Sequence, residues 1–271
     1  MAPSGGDNAY HRFPAEGRRI AMQRLSVAII TLNATRSLAQ CLQSVTFADE
    51  IVVVDSGSQD GTVDIAKRFG ARVIHHDWQG FGRQKQFAVG QASSPWVLCL
   101  DADEWVSDQL KSDIQWALES PRFEAYRIPR CNRFMGRWLR HGEGYPDYSL
   151  RLFNRHKARW SEAEIHEQVI VSGGEVGLLT GDLMHESEDG IAEYLAKQNR
   201  YTTLQAEQLY NAGKRVNMVV MLGSPILRFV KFYVIRRGFL DGLPGLVHIS
   251  IGCFNSFIKY AKLAAKLRLS G

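Results

Sequence analysis

The sequence predicts an α/β fold: a mostly parallel, Rossmann-like sheet wound with helices, followed by a helical C-terminal region. Three observations carry this expectation. Short apolar runs alternate with amphipathic stretches up to about residue 120. After Pro121 the chain shifts to short segments rich in Arg, Trp, Tyr and Gly, and from Gly190 onward the pattern is helical and increasingly apolar. A chain of 271 residues can hold one large domain with a substantial appendage.

The stretch Met1 to Gly17 mixes Gly, Pro and charge without the apolar run of a signal peptide, so residues 1–24 read as a disordered lead-in to a cytoplasmic protein. Residues 25–187 read as one domain in two halves, 25–120 and 121–187. Leu25–Thr31, Glu50–Val54, Arg72–His75 and Trp96–Leu100 are short, bounded apolar runs and are predicted as strands. Between and after them, Ser37–Val45, Thr62–Phe69, Gln84–Gln91 and Asp108–Leu118 have the apolar spacing of helices, and short helical crossovers imply parallel strands. The second half, through about Gly181, is expected to add antiparallel strands and substrate-facing loops.

Residues 188–271 are expected to be helical, polar around Ala192–Asn211 and then more apolar. Gly242 to Ile258 is a 17-residue stretch free of Asp, Glu, Lys and Arg, but it contains Pro244, His248 and Asn255 and falls short of a ~20-residue span. It reads as a helix lying in a membrane plane. Lys259, Lys262, Lys266 and Arg268 follow at helical spacing among Phe257, Ile258, Leu263 and Leu267, the makeup of an amphipathic membrane-surface segment. The competing expectation is a helix packed on the core with solvated lysines. From Ser224 to the end, eight basic residues face one acid, Asp241, within a net charge of +5, which leaves the body mildly acidic and points the tail towards an anionic surface. The four cysteines, Cys41, Cys99, Cys131 and Cys253, form no Cys-x-x-Cys pair, which argues for a reducing compartment and against a zinc site.

Chemistry concentrates in Asp101-Ala102-Asp103-Glu104, directly after the strand Trp96–Leu100. Ligands bind at the carboxyl ends of strands in open α/β sheets. Carboxylates crowded there repel one another unless a positive charge sits between them, and a divalent cation bridging a diphosphate meets that need. The second predicted strand likewise runs into Asp55, followed by the tight turn Ser56-Gly57-Ser58-Gln59-Asp60-Gly61-Thr62, a plausible nucleotide site with Asp60 as helix N-cap. Two other signals carry little weight. Gly80-Phe81-Gly82-Arg83-Gln84-Lys85 lacks the third Gly of a dinucleotide fingerprint and does not follow the first strand. The Arg-, Trp- and Tyr-rich region Arg127–Trp160 matches no nucleic-acid module, so no nucleic-acid partner is expected.

The runs Val27-Ala28-Ile29-Ile30-Thr31-Leu32-Asn33, Val52-Val53-Val54-Asp55-Ser56-Gly57-Ser58-Gln59-Asp60-Gly61-Thr62 and Leu100-Asp101-Ala102-Asp103-Glu104, in that order, resemble glycosyltransferase family 2. Gly144-Tyr145-Pro146-Asp147-Tyr148-Ser149-Leu150-Arg151-Leu152-Phe153, Ile165-His166-Glu167 and Lys197-Gln198-Asn199-Arg200-Tyr201 are similar to the branch containing lipopolysaccharide-core β-glucosyltransferases. The likeness runs from about Leu25 to Leu267, with a departure at Glu143-Gly144, where that branch carries Gly-Trp.

The resemblance implies a GT-A fold, a nucleotide-diphospho-sugar donor and inversion at the anomeric carbon. It further implies that Thr31 and Asp55 hold the uracil end of a UDP-sugar, with Asn33 in the same motif. Arg83 or Lys85 would face the base or diphosphate, and Asp101, Ala102 and Asp103 would face the ribose and a Mn²⁺ or Mg²⁺ ion. His185, in Leu183-Met184-His185-Glu186, would add a ligand favouring Mn²⁺, or is simply a hydrogen-bonded strand-end histidine. Inversion needs a base on the acceptor side. Glu167 sits where the family keeps its acceptor-side acid, and Asp147 in its Tyr-Pro-Asp turn is the runner-up; pairing with Arg151 or Arg155 would be a structural role for either. His166-Glu167 is no zincin motif, because position 170 is Ile.

The expected activity is transfer of a hexose, glucose by the resemblance, to a glycolipid such as a lipopolysaccharide inner core, at the cytoplasmic face of the inner membrane and against its anionic surface. A sugar-phosphate nucleotidyltransferase would need a Gly-rich loop after the first strand, and Thr31-Leu32-Asn33-Ala34-Thr35 is not one. A non-catalytic membrane-associated adaptor on the same fold is the reading of another class.

Overall fold

The computed structural model describes residues 22–162, 167–187 and 190–269. All but the last three residues of the expected lead-in, and Ile165-His166 of the third motif, lie outside the described residues.

The first half follows the expected alternation. Its elements are β1 (Leu25–Thr31), α1 (Leu38–Ser44), β2 (Glu50–Asp55), α2 (Thr62–Arg68), β3 (Arg72–His75), α3 (Phe81–Gln91), β4 (Trp96–Asp101), β5 (Glu104–Val106) and α4 (Asp108–Glu119). Helix α3 starts three residues before the expected Gln84, because Gly80 at φ 92° supplies a turn that most side chains resist. Helix α4 opens on Ser107, whose hydroxyl accepts the amide of Leu110 at 3.2 Å. Asp60 lies just outside α2, which Gly61 caps; its carboxylate accepts the Thr62 amide at 3.0 Å instead.

The second half contributes β6 (Ala125–Phe134), β7 (Arg137–Trp138), β8 (Asp147–Asn154), β9 (Ala158–Trp160), β10 (Val169–Val171), β11 (Val176–Leu178) and β12 (Leu183–His185). The main sheet runs β3-β2-β1-β4-β8-β6-β12-β5, with β7 and β11 also paired to β6. Strands β1 to β4 are mutually parallel, and β8 is antiparallel to both β4 and β6. The expected antiparallel strands beyond Pro121 are found in the β6–β8, β6–β7, β9–β10 and β5–β12 pairs, while β11 and β12 depart from that expectation by running parallel to β6. Both faces of the central strands are covered. Val27, Ile29, Val53, Leu98 and Leu100 pack into one core and Ala28, Ile30, Val52, Val54, Val97 and Cys99 into the other, which is why these strands read as unbroken apolar runs.

Helix α5 (Ile191–Asn211) is followed by α6 (Met218–Phe229), which continues as a π-helical turn over Val230–Ile235. A 3₁₀ turn at Gly238–Asp241 then leads into α7 (Gly242–Leu269). Residues 242–269 form one 28-residue helix packed against α5 and α6. Lys262 Nζ donates to Asn199 O, Asn199 Oδ1, Thr202 Oγ1 and Thr203 Oγ1 at 2.7–2.9 Å, and Lys266 pairs with Glu207 at 3.4 Å. These cations hold α7 to α5.

The helical layer joins the sheet domain through the loop at residues 140–145. Asp241, 2 % exposed, accepts the amides of Arg140 and His141 at 3.0 and 2.8 Å, and its other oxygen meets His141 Nδ1 at 3.0 Å. Glu143 pairs with Arg228 of α6 and lies where a Cβ on Gly252 would fall. The departure at Glu143-Gly144 is thus part of this joint.

Candidate functional site

Strand β1 sits between β2 and β4, so the chain winds outward to β3 and then crosses back to β4. The crevice at such a reversal is the ligand site of open α/β sheets. Register places Thr31 beside Asp55 and Ile30 beside Asp101, bringing three expected site residues to one edge. Asp55 Oδ2 accepts the amides of Gly57 and Ser58, both at 2.9 Å, and its Oδ1 takes the Ser58 hydroxyl. Its carboxylate therefore shapes the turn. Asn33, at φ 50°, donates its amide to Ser58 Oγ at 2.8 Å and accepts the Gln59 amide at 2.9 Å, fastening the loop after β1 to the same turn.

The acidic tetrad is a tight turn between β4 and β5, and its charges are answered by protein cations. Glu167 Oε1 lies 3.3 Å from Lys85 Nζ, which is 3.1 Å from Asp101; Asp101 meets Arg151 at 3.0 Å. Arg151 meets Glu104 at 2.7 Å, Glu104 meets Arg130 at 3.4 Å, and Arg130 meets Asp147 at 2.7 Å. The result is a ladder of alternating sign with the two candidate bases at its ends. Trp160 lies beneath two of its cations, with Lys85 Nζ 5.0 Å and the Arg151 guanidinium 5.8 Å from its ring. Burial alone would raise the Asp101 carboxyl, but the Lys85 and Arg151 charges overcome it and hold that carboxyl well below the usual range. Burial likewise works against the charge on Arg151, and Glu104 and Asp101 more than restore it.

Among the described residues, Thr31 Oγ1 and Arg151 Nε and Nη1 are buried without a hydrogen bond, and buried Asp101 Oδ1 has only the ion pair with Lys85 at 3.1 Å. Buried polar groups are almost always bonded, so such a cluster is the expected floor of a polar ligand's site.

Asp103 is the member of the tetrad that no Lys or Arg answers among the described contacts. Strand β12, paired antiparallel to β5, sets His185 opposite Glu104, and His185 Nε2 lies 3.4 Å from Asp103 Oδ2. Nδ1 is 2.8 Å from Asn132 Oδ1, which fixes the ring so that Nε2 faces that carboxylate. An oxygen and an imidazole nitrogen facing each other in this way fit a divalent cation that takes its remaining ligands from phosphates and water. Among the described residues there is no cluster of three or more His, Cys, Asp or Glu side chains arranged for a metal.

Lys85 is in the ladder and 4 % exposed, whereas Arg83 lies on the exposed side of α3. Ala102 is buried under the turn at 9 % exposure, so its backbone, not its side chain, borders the site. Arg130 and Trp160 enter the site without having been expected there, and Arg151, expected as a pairing partner of Glu167 or Asp147, pairs with Asp101 and Glu104 instead. Arg151 shares a strand face with Asp147 by the two-residue alternation of β8, which is the sequence signal that would have linked them. A cleft of about 710 Å³ opens beside His185 and Arg130 and is walled by Phe134, Tyr194, Lys197 and His248, between the sheet and helices α5 and α7.

Residues 26–172 match Glycosyl transferase family 2. The chain is 33 % identical over 254 residues to an uncharacterized glycosyltransferase of Rickettsia typhi, covering 89 % of this chain and 87 % of that one. It is 31 % identical over 246 residues to the lipopolysaccharide core biosynthesis glycosyltransferase LpsC of Rhizobium meliloti, covering 88 % and 91 %. Among solved structures it is similar in fold to the mannosyltransferase PcManGT of Pyrobaculum calidifontis, solved with GDP-Man and Mn²⁺, at a TM-score of 0.52 and 15 % identity over 95 % of this chain and 90 % of the other. With a family match over more than half its length and full-length relatives of the same kind, the chain belongs to glycosyl transferase family 2 and carries the GT-A fold with a helical C-terminal extension.

Proposed function

We propose that this glycosyltransferase moves a hexose, glucose in the reading favoured here, from a UDP-sugar to a glycolipid such as a lipopolysaccharide inner core. The carrying observation is the set of buried polar atoms without a hydrogen bond among the described residues, Thr31 Oγ1 and Arg151 Nε and Nη1, with Asp101 at the carboxyl edge of the sheet and the Asp103–His185 pair after it. Residues 25–120 hold the nucleotide and 121–187 face the acceptor. Thr31 and the Asp55 turn meet the uracil, Asp101 the ribose, and Lys85 the diphosphate, with Arg83 at the mouth. Asp103 and His185 hold Mn²⁺ or Mg²⁺, which when bound neutralises the leaving diphosphate. LpsC, named for lipopolysaccharide core biosynthesis, supports the acceptor class, and with such an acceptor the proposed site of action is the cytoplasmic face of the inner membrane.

The transfer inverts the anomeric carbon. The acceptor hydroxyl attacks from the face opposite UDP, the bond from that carbon to the β-phosphate oxygen breaks, and the hydroxyl proton passes to Glu167. Glu167 suits this role better than Asp147. Asp147 Oδ2 is held by two guanidinium donors of Arg130, at 2.7 and 3.0 Å, whereas Glu167 meets a single ammonium at 3.3 Å.

The test is sugar transfer and UDP-sugar binding by Glu167→Gln and Asp147→Asn. Loss of a general base costs ~10²–10⁴ in rate, so Glu167→Gln should fall by that range while binding donor as wild type does. An inactive Asp147→Asn beside an active Glu167→Gln would reverse the assignment.

A further inference from the structure

We infer that α6 and its π-helical continuation form an in-plane membrane-insertion surface, seated in one leaflet of a bilayer containing anionic lipid. Met218–Ile235 is an 18-residue helical segment of mean hydropathy 1.7 with none of its residues buried. Met218, Val219, Leu222 and Ile226 recur at helical spacing on one side, with exposures of 69, 78, 51 and 64 %. A contiguous apolar face of this kind on a folded protein marks a contact surface.

The charges say which contact. Lys214 and Arg215 precede the segment, and Lys231 and Arg237 are exposed within and just after it. Between Gln208 and Leu269 the only acid is Asp241, which is 2 % exposed and hydrogen-bonded to the 140–141 backbone. An apolar face edged by cations and free of exposed carboxylates complements anionic headgroups over acyl chains.

Length alone would let these residues cross a bilayer, since at about 1.5 Å per residue they reach nearly the ~30 Å hydrocarbon thickness. The tethers forbid it. Arg228, midway along, pairs with Glu143 of the sheet domain and donates to Ser256 at 3.0 Å. At the far end, Arg236 donates to Tyr145 O at 2.9 Å, and its own carbonyl accepts the Gly142 amide at 2.9 Å. A spanning helix would carry Arg228, Glu143 and the attached sheet domain into hydrocarbon. Lying flat, with Arg228 turned towards the protein, satisfies every contact.

This surface rests on the membrane-acceptor reading above and relocates the anchor from the basic end of α7 to α6. The test is flotation of the full chain with phosphatidylcholine vesicles, with and without phosphatidylglycerol, at low and high salt, with no donor or acceptor present. Wild type should float with the anionic vesicles and remain bound at high salt. Ile226→Asp with Leu227→Asp should weaken that binding at least about tenfold, while circular dichroism and UDP binding stay as in wild type. Lys231→Glu with Arg237→Glu should weaken it at low salt only, and Arg268→Glu, at the end of α7, should leave it within about twofold.

A folded Ile226→Asp/Leu227→Asp protein that floats as wild type does overturns the surface and leaves the membrane reading standing. Failure of wild type to float with any vesicle overturns both, without touching the donor site, which UDP binding reads separately. A wild-type dimer that this same double variant dissociates would make the face a self-association interface and likewise overturn the proposal.

Discussion

Arg151 shows what the site demands of single residues. At 3 % exposure its guanidinium needs anions around it, and Asp101 and Glu104 supply them at 3.0 and 2.7 Å. Removing one partner of such a buried set leaves the others uncompensated. Arg151→Met should therefore cost about 3–5 kcal/mol in urea unfolding, far more than loss of a surface pair. Asp103→Asn should behave in the opposite way, removing a partly exposed carboxylate that no Lys or Arg among the described contacts answers, and abolishing transfer while leaving the melting temperature close to wild type. Asp101 and Asp103 are two positions apart in sequence, yet one is in the buried ladder and the other meets only His185 among the described contacts. The sequence identifies the acidic turn as a site but not this division. Lys85, Arg130 and Arg151 come from three separate elements, and only the sheet order and register bring them against the tetrad. The sequence led to the expectation that a metal separates the carboxylates, yet Asp101 and Glu104 are answered by lysine and arginine, and Asp103 meets His185 instead.

Among the elements, the parallel half was legible to within a few residues because its strands are buried on both faces and its helices are punctuated by Gly and Ser. Glu50 at the start of β2 is one of the pins of that half. It accepts from Ser26 of β1 at 2.5 Å, the Ser93 amide at 2.7 Å and hydroxyl at 2.9 Å, and Arg72 of β3 at 3.0 Å. Burial works against its ionised form, but these hydrogen bonds prevail and lower the carboxyl from 4.5 to about 2. On acidification the unfolded chain takes up this proton first. The stabilisation is thus complete above about 4.5 and lost as pH falls towards 2. The melting-temperature gap between wild type and Glu50→Gln should be widest near neutral pH and close progressively below 4.5; a gap independent of pH would contradict it. The C-terminal helices were harder to read. A charge-free window selected Gly242–Ile258, which is apolar because α5 and α6 pack on it, and passed over α6, whose exposed apolar face is interrupted in sequence by Pro225, Arg228 and Lys231.

At the scale of the whole molecule, the helical layer is carried on a joint with little room. A Cβ at Gly238 would stand 2.3 Å from Ile249 Cδ1 and 2.7 Å from Phe232 O, and one at Gly142, where φ is +66°, would stand 3.0 Å from Gly238 Cα. Gly238→Ala should loosen α6 and α7 from the sheet domain, increasing their cleavage in limited proteolysis, while UDP binding by the nucleotide half persists. Wild-type resistance to proteolysis in that variant would mean that the joint tolerates the added methyl group. This joint overlaps one motif only at Gly144-Tyr145, and the close approaches at Gly142, Gly238, Gly245 and Gly252 appear only when the helices are docked.

The reading of the molecule as a metal-assisted UDP-sugar transferase depends most on the Asp103–His185 pair. Calorimetric titration of UDP into wild type and Asp103→Asn, each with and without Mn²⁺, tests that dependence directly. Wild type should bind UDP at least about tenfold more tightly with Mn²⁺, a difference of about 1.4 kcal/mol or more, and Asp103→Asn should lose that enhancement while keeping the metal-free affinity. Absence of UDP binding by folded wild type in the presence of Mn²⁺, or an enhancement undiminished in Asp103→Asn, would contradict the account.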